Sequence, residues 1–133
     1  MKKEDVLISL SRILSDVICF DGFVEELRDL IAKSGKELLV FTLLIGRLST
    51  LASEGVSVTR YKEFENISNG IYSMHLAGTG FNIRILFGFL PNRMPVLLLP
   101  FYERGKKKAT DYSRHLPTAI ERLRIKKEEY NRE

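Results

Sequence analysis

The sequence predicts a small α+β domain, a mainly antiparallel sheet of about four strands with helices packed on one face. Three observations carry this. Between Ile71 and Tyr112, the apolar runs IYSMHL, FNIRILFGFL and VLLLPFY are separated by the turn segments AGTG and PNRMP, the pattern of an antiparallel meander. In the middle run Phe81, Ile83, Ile85, Phe87 and Phe89 alternate with Asn82, Arg84 and Leu86, so one face is apolar and needs a cover. Upstream, two stretches carry apolar residues at helical spacing and supply that cover.

Taken in order, Val6, Leu10, Ile13, Leu14 and Val17 predict a short amphipathic helix over 4–15. VICF at 17–20 reads as a short buried strand. Asp21 suits the cap of a second helix, with Glu25 and Glu26 in its first turn and Val24, Leu27, Leu30 and Ile31 as its stripe. Gly35 suits its end, and Ser34 with Glu37 has capping-box spacing for a third helix. That helix buries Leu38, Phe41, Ile45, Leu48 and Leu51, and Gly55 closes it. Residues 56–70 are polar and turn-rich, anchored by Tyr61 and Phe64, with Asn69-Gly70 turning into the meander. Pro117 fits the first position of a final helix whose apolar face is Ile120, Leu123 and Tyr130. The chain reads as one domain over 1–133: a helical extension (1–16), a helical hairpin plus sheet (17–116) and a C-terminal helix (117–133).

Composition narrows the class. The single cysteine, Cys19, excludes an intramolecular disulfide and reads as a buried thiol in a reducing compartment. Glu4, Asp5 and Arg12 interrupt any signal-peptide core, and the apolar window LLVFTLLI is cut by Arg47 well short of a bilayer span. A cytoplasmic protein with no membrane partner is the expectation. Residues 1–103 carry 11 Lys/Arg against 12 Asp/Glu, whereas residues 104–133 carry 10 against 5. The excess positive charge therefore lies at the C-terminal end and suits an anionic partner such as nucleic acid or an acidic protein segment. For the last ten residues a solvated tail is the simpler reading.

Two histidines, His75 and His115, and one cysteine give no zinc spacing, and AGTG precedes no helix, so no metal or cofactor is expected. What remains is a cluster that strand geometry brings together. A tight AGTG hairpin pairing Leu76 with Phe81 sets His75 opposite Asn82 and Ser73 opposite Arg84. All four then share one face, with Arg84 open to solvent or a ligand. Arg104, Lys106, Lys107, Lys108 and Tyr112 follow the third strand at once. Arginine forks and lysine charges suit phosphate, and tyrosine or histidine rings stack on bases. Ordinary surface charge on a strand and its following loop is the competing explanation.

With these residues in view, the chain resembles the RelE superfamily of bacterial toxins, and within it the phage-derived HigB type. That family shows a Gly-(Ile/Leu)-Tyr-Glu-Leu-Arg strand, an aromatic-rich strand with Arg-Ile/Val-Leu-Tyr, an apolar strand ending in Phe-x-Lys-Lys, and a helix entered through proline. Gly70-Ile71-Tyr72, Arg84-Ile85-Leu86-Phe87 and Phe101 to Lys108 match in order, and the resemblance covers residues 17–130. It implies a small RelE-like fold with a curved sheet and a toxin that cleaves mRNA on the translating ribosome. A cognate helix-turn-helix antitoxin, HigA-like, would neutralise it. The implied chemistry is metal-free attack by the RNA 2′-hydroxyl, stabilised by basic residues. Residue by residue, Arg84 takes the strand arginine at the scissile phosphate and Lys106 and Lys107 the lysine pair. His75 stands where the family has arginine and would serve as acid or base. Arg104, Lys108, Tyr112 and Asn82 complete the RNA contacts.

The chain also departs from the pattern. Ser73 replaces the family glutamate, and Glu103 and Gly105 displace the lysines along the loop. Residues 1–16 precede the family's usual start. A non-enzymatic inhibitor on the same fold, like the gyrase-binding ParE-type toxins, and an inactive prophage remnant that only binds its antitoxin are the alternatives.

Overall fold

The structure, a computed structural model, describes residues 3–103 and 108–133. In chain order its elements are α1 (Lys3–Leu14), β1 (Ile18–Cys19), α2 (Phe23–Ser34), α3 (Glu37–Glu54), a 3-10 turn (Gly55–Arg60), β2 (Phe64–Ser68), β3 (Ile71–Gly78), β4 (Phe81–Phe89), β5 (Pro95–Tyr102) and α4 (Lys108–Asn131). The five strands form one sheet in the order β1-β5-β4-β3-β2, antiparallel except for the parallel pairing of β1 with β5. This is the predicted α+β class with one strand more.

The added strand is β2, inside the stretch expected to be irregular. Phe64 anchors it in the first core as expected, Ile67 packs against the second after a register shift between Asn66 and Ser68, and Tyr61 is exposed with the Arg60 guanidinium over its ring. Asn69 and Gly70 both take positive φ (53° and 79°), the conformation a two-residue hairpin turn requires, and they join β2 to β3.

The β3–β4 hairpin is tighter than the sequence suggested. Thr79-Gly80 alone forms the turn, with Gly80 at φ 87°, and Gly78 pairs with Phe81. His75 is therefore opposite Arg84 and Ser73 opposite Leu86, a slip of two residues from the expected register. Because side chains repeat every second residue, a two-residue slip leaves every one on its predicted face.

On the phenylalanine–isoleucine face, Met74, Leu76, Ile83, Ile85, Phe87 and Leu97 pack against Leu27 and Ile31 of α2 and Val40, Phe41, Leu44, Leu48 and Leu51 of α3. Ile13, Leu14 and Val17 add the end of α1 and the segment after it. The α3 stripe is centred on Val40 and Leu44, which leaves Leu38 outside it and 44% exposed. The expected caps also differ. Gly22, in the left-handed region, begins α2 in place of Asp21, and Lys36 begins α3. Ser34 bonds locally instead, donating to the Ile31 carbonyl and accepting from the Lys36 amide. Gly35 does end α2 in the left-handed region, and Gly55 follows α3.

The opposite face carries a second core. Ile71, Leu86, Leu90, Val96, Leu98, Leu99 and Phe101 meet Tyr112, Ala119 and Leu123 of α4, with Ile120 and Tyr130 at the margin. A bulge in β5 next to the Leu86–Leu99 pair turns both Leu98 and Leu99 toward it. α4 begins at Lys108, so Pro117 lies inside the helix and not at its start. Since proline lacks an N–H, it forgoes only one bond of a helix already held by this packing. Arg122 fastens α4 sideways: it donates to both carboxylate oxygens of Glu26 (2.7 and 3.1 Å) and to the Leu98 carbonyl (2.8 Å), and it lies over the Phe20 ring.

The helical stretch Glu37–Arg60 runs 24 residues at a mean hydropathy of 1.4, longer than the apolar window read from sequence and sufficient by length and composition to cross a bilayer. Its buried residues Val40, Phe41, Leu44, Leu48, Leu51 and Val58 are part of the first core. Cys19 is half-buried, and burial pushes its thiol up to about 11, with Lys126 opposing in part. At pH 8 the native protein is thus expected to resist thiol alkylation that goes to completion in denaturant, as intact-mass spectrometry would record.

Gly88 faces Leu123 so closely that a Cβ there would lie 2.8 Å from Leu123 Cδ2 and 3.1 Å from the Gly70 carbonyl oxygen. Gly88→Ala is expected to lower unfolding free energy by about 1–3 kcal/mol in urea titrations. Leu123→Ala should cost about 2–5 kcal/mol alone, and the double variant less than the two together.

Candidate active site at the polar end of the second sheet face

The second face is apolar along α4 and polar at its other end. Alternation in three adjacent strands creates that end: Glu65 of β2, Ser73 and His75 of β3, and Asn82 and Arg84 of β4 all project from it. Glu65 is paired with Ser73, and His75 with Arg84, so a carboxylate, an imidazole and a guanidinium stand on neighbouring strands.

The side chains form two linked groups. In the first, His75 Nε2 lies 3.4 Å from Glu65 Oε1 and 3.4 Å from the Tyr112 hydroxyl, which in turn shares a 2.8 Å hydrogen bond with Ser73 Oγ. Main-chain bonds fix the histidine strand: the His75 amide donates to the Glu63 carbonyl, and its own carbonyl accepts from Arg47 Nε of α3. In the second group, a single oxygen of Glu103 accepts from Asn82 Nδ2 (2.9 Å), Arg84 Nε (2.9 Å) and Arg84 Nη2. The side chains of this ion pair are 11% and 8% exposed for Arg84 and Glu103. Arg84 is therefore not the open mid-strand cation expected from sequence. The carboxylate just beyond β5 covers it.

Tyr112 is also corrected. Its ring is 6% exposed and packs edge-on against Phe101, which also stacks on His115. It works as a buried strut under α4 and offers no free face to a base. Burial pushes its phenol above the ordinary value; the Ser73 hydrogen bond and Arg84 pull it down, and the Glu65 and Glu103 carboxylates push it up further. Asn82 is on the predicted face but turned to Glu103, and its Oδ1 is buried without a hydrogen-bond partner. Arg104, Lys106 and Lys107 lie outside the described residues, as does the side chain of Lys108, the first residue of α4.

Sequence reasoning missed Glu65 and the role of Glu103. Asn69-Gly70 was the available signal for the former, since a two-residue hairpin turn needs a strand on each side and FENIS is the segment that precedes it. No group of three or more histidine, cysteine or acidic side chains is arranged to hold a metal among the described residues. Compared with protein-family models and with curated proteins, the chain gives no match.

The phenol makes a pH prediction. A tyrosine held protonated in the fold contributes stability that is intact below its unfolded pKa of about 10 and is lost as pH rises further. Tyr112→Phe should flatten that alkaline decline in thermal melts. At neutral pH it should cost about 1–2 kcal/mol, because Ser73 Oγ loses its buried partner.

Proposed function

We propose that this protein is the toxin of a type II toxin–antitoxin pair and an endoribonuclease that cleaves mRNA on the ribosome by 2′-hydroxyl attack. The observation that carries the reading is the Glu65–His75 pair set directly across from Arg84 on one polar sheet face. Transesterification of RNA needs a base for the 2′-hydroxyl proton, a cation for the phosphorane and an acid for the leaving oxygen. His75, oriented by Glu65, takes the proton as O2′ bonds to phosphorus. Arg84 carries the charge that develops on the non-bridging oxygens. The bond to the 5′-oxygen then breaks, and Lys106 or Lys107 returns a proton to it, leaving a 2′,3′-cyclic phosphate and a 5′-hydroxyl. The residue types on this face, the cationic C-terminal end and the ordered resemblance to the RelE strands support this assignment, with a helix-turn-helix antitoxin and the ribosome as partners in the cytoplasm.

One observation favours a second reading, a non-enzymatic binder on the same fold: Arg84 is already neutralised by Glu103. The two are separated by brief induction in cells and mapping of mRNA 5′ ends. The ribonuclease reading expects new ends inside translated codons for wild type, reduced on the order of 10²–10⁴-fold by Arg84→Ala, His75→Ala or Glu65→Gln. Growth arrest without new ends would replace it with the binder; neither arrest nor new ends would leave an inactive antitoxin-binding remnant.

A further inference from the structure

We infer that the donors of Asn82 and Arg84 form an oxyanion site that Glu103 fills in the free protein, and that an RNA phosphate takes its place on binding. The naming of RNA rests on the ribonuclease reading; the anion site does not. Three donors converge on one carboxylate oxygen, Asn82 Nδ2 and Arg84 Nε at 2.9 Å each, with Arg84 Nη2 beside them. Two hydrogen-bonding arms of a guanidinium plus an amide, aimed at one anionic oxygen, suit a phosphate oxygen equally well.

The two sides of this contact differ in how firmly they are held. Asn82 and Arg84 sit within β4, the middle strand of the sheet, paired on both sides with β3 and β5. Glu103 lies just past the end of β5, and its main-chain tie to the sheet is the bond from its amide to the Asn82 carbonyl. The donors are fixed within β4, and the Glu103 carboxylate leaves them by side-chain rotation alone, so exchange keeps the Glu103 amide on the Asn82 carbonyl and disturbs no bond between strands. A buried guanidinium is costly without a counter-charge, so withdrawal of Glu103 is favourable only when another anion arrives. The carboxylate then acts as a gate, weakening binding of small anions while leaving room for a ligand with further contacts.

The test measures inorganic phosphate binding by wild type, Glu103→Gln and Glu103→Ala at constant ionic strength, following the Arg84 Nε–H resonance and the melting temperature. Either variant is expected to bind phosphate about tenfold more tightly than wild type, with the Arg84 resonance moving on titration and a larger thermal shift. A variant unfolded in chloride that folds in phosphate supports the same conclusion only where the Arg84 resonance moves with phosphate and fluoride at the same ionic strength, a kosmotrope with no oxygen acceptors, fails to restore the fold. Equal affinity in all three proteins, an unmoved Arg84 resonance, or variants unfolded in both salts would overturn the inference and make the pair purely structural. Cleavage is scored separately. Tighter phosphate binding with no new mRNA ends from wild type or variant keeps the anion site and rejects the ribonuclease. Loss of ends in Arg84→Ala without any phosphate gain in the Glu103 variants does the reverse.

Discussion

The burial of β4 on both faces is the constraint on which the rest of this structure depends. A middle strand with apolar residues at every odd position from Phe81 to Phe89 forms one core, and Leu86 and Gly88 on the other side demand a second. Three helices serve the first face and α4 the second. Arg84 is then the charged side chain of a strand walled in on both sides. A lone guanidinium in such surroundings needs a compensating carboxylate, and Glu103 supplies it.

The same constraint sets the geometry of the candidate site. A pleated sheet places side chains of adjacent strands a few ångströms apart on one face, so chemistry distributed over β2, β3 and β4 converges without a loop having to hold it. Tyr112 carries that order into α4, because its hydroxyl touches both Ser73 and His75. The position of the last helix and the orientation of the imidazole are therefore coupled.

The face of each strand residue was legible in the sequence because period-two alternation survives any even slip. That is why His75, Asn82 and Arg84 share a face although their partners differ from expectation. Pairing itself was less legible: the AGTG segment permits a four-residue or a two-residue turn, and the Phe81 ring crowding Gly78 accompanies the shorter one. β2 was obscured by its polar composition, since only Phe64 and Ile67 are apolar in FENIS. Pro117 misled for a physical reason too. Proline marks helix starts when nothing else holds the preceding turn, and here Tyr112 and Leu116 pack against the sheet before it. The Arg84–Glu103 pair joins residues 19 apart through a strand exit, a contact no local pattern encodes.

The strap from Arg122 to Glu26 spans 96 positions of the chain, and β1 joins β5 across a similar gap. The first third of the polypeptide is thus closed by the last. Contacts this distant carry the largest loop-closure cost of any in the fold. The sheet's second face has no cover until α4 docks, so His75 reaches its finished setting only with Tyr112 in place.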